Sequence, residues 1–137
     1  MNLRLRIALT ALAPLVCFAG CGGSAAPSLK GRVTLDGAPV TSGSIVFLPE
    51  QSEGRKAAAA IEDGNYTVPA EEGLLPGKYR VEVSWQKPTG KKIPSADPGM
   101  LTDETKEAIP AKYNSNSTLT AELAPGEASK DFALTSN

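Results

Sequence analysis

From Leu29 onward, glycine and proline punctuate this chain at short intervals, and no stretch between them carries helical periodicity of useful length. What fills the gaps is period-two alternation, which is the signature of strands with one buried face. The clearest example follows Pro76-Gly77. Tyr79, Val81, Val83 and Trp85 fall on one face, and Lys78, Arg80, Glu82 and Ser84 on the other. Half-buried antiparallel sheet is the only regular structure that this pattern suits. Leu29, Gly31, Val33 and Leu35 alternate with Lys30, Arg32 and Thr34 before an Asp36-Gly37-Ala38-Pro39 turn. Ser44 to Leu48 reads as a short apolar strand. Ala57 to Ile61 reads as a weaker one that turns at Asp63-Gly64 into Asn65 to Val68, a tight hairpin. Thr118 to Leu123 and Lys130 to Thr135 supply two more, separated by Pro125-Gly126. The expectation is an all-β, seven-stranded β-sandwich with Greek-key connections over residues 29–135. Tyr79, opening the best strand after a Pro-Gly turn, is expected to form a tyrosine corner with backbone just upstream.

Residues 86–112 break the pattern. Pro88, Pro94, Pro98 and Pro110 lie there with Gly90 and Gly99. The segment reads as a long loop, with room for one helical turn around Asp103, Glu104, Lys106 and Glu107. A structureless stretch of this length in a compact domain is usually functional or disordered. Trp85 at a strand end, Lys91 and Lys92 within the loop and Tyr113 beside it are the candidate interaction residues.

The N-terminus carries an address. Arg4 and Arg6 precede an apolar run from Ile7 to Phe18, and Ala19-Gly20 follow as small residues before Cys21. Residues 1–20 therefore read as a secretory signal peptide. The run is about a dozen residues, whereas a membrane-spanning helix needs roughly 20. Phe18-Ala19-Gly20-Cys21 resembles the bacterial lipoprotein box, with Phe18 where leucine is commonest. That resemblance implies a diacylglyceryl thioether on Cys21 and an acyl chain (palmitate, for example) on its new N-terminus, hence attachment to a membrane. Several acyl chains would make the tether stable where one would not. Ordinary cleavage without lipid is the competing reading. Residues 21–28 read as a flexible spacer.

Composition removes several function classes. There is no histidine, the commonest general base and metal ligand. Cys17 departs with the leader and Cys21 takes lipid, so no disulfide is expected. Of the 14 basic residues two fall in the leader, and the rest face 15 acidic ones. That balance argues against a nucleic-acid partner. Asp97, Asp103, Glu104 and Glu107 do not match a calcium-loop spacing, and no metal or other cofactor is expected. Ser44 and Ser117 have no activating base in sequence.

Several motifs taken together resemble a known family. Gly31-Arg-Val-Thr-Leu-Asp-Gly-Ala-Pro-Val40, Asp63-Gly-Asn-Tyr66, Leu75-Pro-Gly-Lys-Tyr79, Ile109-Pro-Ala-Lys-Tyr-Asn114 and Leu119-Thr-Ala-Glu-Leu123 resemble the carboxypeptidase regulatory-like domains, which are transthyretin-like β-sandwiches. The resemblance implies a prealbumin-like or Ig-like sandwich, and the whole is similar to small lipoproteins of this type in planctomycete bacteria. The resemblance implies a cell-envelope accessory module without catalytic activity, binding an envelope protein or a polysaccharide. Transthyretin-like hydrolases rely on histidines, which this chain lacks. A carbohydrate-binding module of the cell surface, using Trp85 or Tyr113 as a platform, is one alternative, and an unrecognised hydrolase with a serine or a carboxylate pair in a pocket is the other.

Overall fold

A computed structural model describes residues 28–51 and 53–137. Cys21, the leader and most of the spacer lie outside the described residues. Ten strands account for most of the regular structure among the described residues: β1 (Leu29–Leu35), β2 (Ala38–Pro39), β3 (Ser42–Pro49), β4 (Ala57–Glu62), β5 (Asn65–Val68), β6 (Gly77–Ser84), β7 (Gln86–Pro94), β8 (Leu101–Glu107), β9 (Thr120–Leu123) and β10 (Phe132–Leu134). Single 3-10 turns at Ala70–Glu72 and Ala111–Tyr113 are the only helical pieces among the described residues.

The main sheet runs β10-β1-β5-β4-β3-β6-β9, with β2 paired to β1. Strands β3, β4 and β5 form a meander, and β6 returns to lie beside β3. That spatial order, 6-3-4-5, is a Greek key. All its pairings are antiparallel except β1 with β10, where Val33 lies opposite Phe132. The sheet curls over on itself. Phe47 of β3 and Phe132 of β10 stand apart in strand order, with β4, β5 and β1 between them, yet their ring centroids are 6.1 Å apart. Tyr66 and Tyr79 complete the aromatic cluster, Tyr79 meeting Phe47 edge-on at 6.3 Å. Around them pack Val33, Val40, Ile45, Ile61, Val81 and Val83, all fully buried. The fold is thus an all-β Greek-key sandwich with the core between the curled layers.

Local chemistry explains the tight corners. Asp36-Gly37 and Asp63-Gly64 are two-residue hairpin turns with positive φ at both positions, 50° and 81° in the first and 48° and 82° in the second. This is the type I′ geometry that Asp-Gly favours. Asp36 to Pro39 is therefore not a bare turn, since Ala38–Pro39 folds back as β2. The Tyr79 hydroxyl donates to the Leu75 carbonyl at 3.0 Å and accepts the Leu75 amide at 3.1 Å, which makes the tyrosine corner.

The reading of 86–112 as a structureless loop is corrected. Residues 86–94 and 101–107 are strands β7 and β8 of a separate two-stranded ribbon, and Asp103 to Glu107 extend within β8 rather than coil. Ten strands therefore replace the seven expected. The prolines do not prevent pairing because of where their nitrogens point. Ala108 donates to the Trp85 carbonyl and Ser95 to the Met100 carbonyl, which marks the inward-facing pairs at each end of the ribbon. Alternation from those pairs turns the nitrogens of Pro88 and Pro94 to the outer edge of β7, where no hydrogen bond is lost.

Candidate functional site

The ribbon is built to project. Every residue of β7 is exposed and β8 is nearly so. No residue of 86–107 belongs to the buried core. Its register pairs Gln86 with Glu107 and Pro88 with Thr105, shifts at a bulge between Pro88 and Lys92, then pairs Lys92 with Asp103 and Pro94 with Leu101. Gly90, at φ 83°, takes the left-handed conformation that the bulge requires. Apolar side chains gather at the far end. Ile93, Met100 and Leu101 are 40%, 61% and 65% exposed, three of the four large hydrophobic residues most open to solvent among the described residues.

One carboxylate joins this ribbon to the sandwich. Glu107 accepts the Ser84 hydroxyl at 2.6 Å, the Trp85 amide at 2.9 Å, the Ile109 amide at 2.9 Å, the Gln86 side-chain amide at 3.0 Å and the Asn114 side-chain amide at 3.1 Å. Asn114 also donates to the Val83 carbonyl at 2.9 Å, and Ser117 hydrogen-bonds the Val81 carbonyl. The segment Ile109 to Ser117 is thereby sewn to β6. Partial burial pushes the Glu107 carboxyl up. The Ser84 hydroxyl and the amides of Trp85, Ile109 and Ala108 outweigh that and hold it below the ordinary carboxylate range. Such a group is a poor general base, because it is weakly basic and its lone pairs are already engaged.

The structure separates the predicted interaction residues. Trp85 and Tyr113 sit at the base, half-buried and packed against the core. The Lys87 ammonium lies 5.3 Å from the Trp85 ring centroid and that of Lys112 lies 5.0 Å from Tyr113, so each ring has a face covered by a cation. The Tyr113 hydroxyl meets Thr135 Oγ1 at 3.3 Å. Lys91 and Lys92 lie on the ribbon, where Lys92 is paired with Asp103 at 2.7 Å. Cys21 lies outside the described residues. Sequence reasoning missed the roles of Glu107, Ser84 and Asn114 at the base and of Ile93, Met100 and Leu101 at the tip. The tip had a signal, since those apolar residues stand in a segment that otherwise lacks them. Glu107 had none, because its partners come from three separate stretches of chain.

Two small open clefts lie elsewhere, one beside Tyr79 with Pro49, Gln51 and Lys78, the other with Glu62, Asn65 and Tyr66 on the β4–β5 hairpin. Neither includes Ser84 or Glu107. Among the described residues no cluster of three or more acidic, histidine or cysteine side chains is placed to hold a metal ion. No helix among them is long and apolar enough to cross a membrane. No protein-family model, curated protein or solved structure matches this chain.

Proposed function

We propose that this chain is a lipid-anchored, non-enzymatic module of a bacterial cell envelope, held by lipid on Cys21, and that the β7–β8 ribbon is its contact arm for an envelope partner. The observation that carries the reading is the ribbon itself. It is regular, firmly based on Glu107, absent from the core and tipped with exposed Ile93, Met100 and Leu101. A segment that contributes nothing to the core and shows apolar groups to water is what an interaction surface looks like. The likeness to carboxypeptidase regulatory-like lipoproteins supports the same setting. So does direction. Through the chain of antiparallel pairings β1-β5-β4-β3-β6, strands β1 and β6 run the same way. The chain thus enters β1 from the side opposite to the one where the ribbon leaves β6, so the arm and the point where the tether joins the domain lie at opposite ends of the sandwich. Side-chain chemistry gives an enzyme little to work with, given the engaged Glu107 carboxylate and the absence of histidine.

Two measurements test this. Intact mass of membrane-extracted protein should show acyl mass on a peptide beginning at Cys21, and Cys21→Ser should release the protein from membranes. Affinity purification from the native envelope should recover a partner that is lost when residues 88–106 are replaced by a brief Gly-Ser link. Retention of the partner by the shortened protein would overturn the assignment of the arm.

A further inference from the structure

The two outer edges of the ribbon are not alike. That of β7 is blunted by Pro88 and Pro94, whose nitrogens face outward, and by the Gly90 bulge. That of β8 has no proline, glycine or bulge from Leu101 to Glu107. The same alternation that turns Ala108 and Met100 toward β7 turns the backbone N–H and C=O groups of Leu101, Asp103, Thr105 and Glu107 outward. Seven residues of open edge span about 24 Å at ~3.4 Å each. A lone two-stranded ribbon is marginal in water, and further strands give a sheet independent stability.

We infer that β8 is the edge through which two copies of this chain pair, antiparallel about a two-fold axis at Thr105. This rests on the reading of the ribbon as the contact surface and names its partner as a second copy. Charge selects the register. An axis at Asp103, Glu104, Lys106 or Glu107 sets identical charges against each other, and one at Leu101 or Thr102 leaves Glu104 and Lys106 without charged partners across the seam. An axis at Thr105 sets threonine against threonine and places Glu104 of each copy opposite Lys106 of the other, twice; one Glu104 oxygen accepts the Thr89 hydroxyl within the ribbon, and the other is left for the lysine. Those two positions have their backbone groups turned inward, so they form the non-hydrogen-bonded pair, in which side chains stand closest. Asp103 then faces Glu107, but Asp103 is already paired with Lys92 at 2.7 Å and Glu107 with its donors at the base. The same register lays Met100 and Leu101 of one copy along the backbone of Pro110 and Ile109 of the other, at the base of its ribbon. Part of the exposed apolar tip is thereby covered, while Ile93 on β7 stays outside the contact, and two ribbons become one four-stranded sheet. This is the self-complementary interface of a two-fold dimer.

Sedimentation of the full chain in detergent, with carbodiimide cross-linking of an equal mixture of unlabelled and 15N-labelled chains, tests the inference. The expected result is a doubled protein mass and an isotopically mixed amide link between Glu104 and Lys106. Glu104→Lys alone and Lys106→Glu alone should each lose the dimer, and the combined exchange should restore it. Thr105→Pro should also lose it while the Ala108 amide stays protected, because the Thr105 amide faces outward and the ribbon does not use it. Monomer mass at every concentration, mixed links confined to other residues, or a dimer indifferent to the single reversals would each overturn it. A monomer that nonetheless loses its envelope partner when the ribbon is shortened overturns this inference alone. If shortening changes neither dimer nor partner, the contact-arm reading falls with it.

Discussion

The Tyr79 hydroxyl holds both backbone groups of Leu75, donating to one and accepting from the other, while the ring fills the core against Phe47. Tyr79→Phe keeps the ring and drops both bonds. Leu75 is 44% exposed, so water can reach the freed groups and soften the loss. The expected cost is about 1 kcal/mol, read as a lower urea midpoint at constant slope. An unchanged midpoint would remove the corner from the stability of the fold. Gly31 is constrained differently. A Cβ built there would stand 1.8 Å from the Lys130 carbonyl oxygen and 2.8 Å from the Tyr66 ring. The obstacle is backbone, and the Tyr66 hydroxyl donates to that same carbonyl at 2.7 Å. Gly31→Ala should therefore push the segment leading into β10 away from β1, at about 1–3 kcal/mol, the usual range for overpacking. Hydrogen exchange should quicken first at Lys30 and Lys130, whose amides bond across this approach.

At the level of elements, the ribbon is held by a charge. Because the Glu107 carboxyl is depressed in the folded protein, it stabilises the base at any pH above its unfolded value. That contribution fades as pH falls through the folded value, below the ordinary carboxylate range. The amides of Trp85 and Ile109, which donate to the carboxylate, should lose exchange protection in that acidic window before the core strands do. Glu107→Gln should show the same loosening at neutral pH and abolish the pH dependence. Equal protection in both proteins across the titration would remove Glu107 as the fastener. The sequence-derived picture succeeds and fails along the same line. Strands β1, β5, β6 and β9 were legible because each has one face in the core and the other in water, which writes an alternation into residues such as Tyr79, Val81 and Val83. Strands β7 and β8 have water on both faces, so burial imposes no pattern on them. Proline then reads as a strand breaker, unless the outward direction of the Pro88 and Pro94 nitrogens is already known. The candidate site was half legible for a similar reason. Trp85 and Tyr113 mark the base by their size, but Glu107 acts through Ser84 and Asn114, which only the folded chain brings to it.

For the molecule as a whole, core and arm divide the work, and that division can be measured. Among the described residues, every buried hydrophobic residue lies in 29–83 or in 109–134, with the ribbon inserted between. Its polar links to the sandwich run through Glu107, which a link replacing 88–106 leaves in place together with Ser84, Trp85 and Asn114. The shortened protein gives up the exposed Lys92–Asp103 pair and the Thr89–Glu104 hydrogen bond, both at the surface. Pairs of that kind contribute about 0–1 kcal/mol each. Closing a shorter connection also lowers the chain entropy lost on folding, which offsets part of the loss. Thermal unfolding of the shortened protein should therefore remain a single transition, with a midpoint close to that of the full chain and the near-ultraviolet signal of the Phe47, Tyr66, Tyr79 and Phe132 cluster intact. A split transition or loss of that signal would mean that the ribbon is part of the folding unit rather than an arm carried by it. The binding loss expected of the same variant would then reflect damage to the sandwich instead of removal of its contact surface.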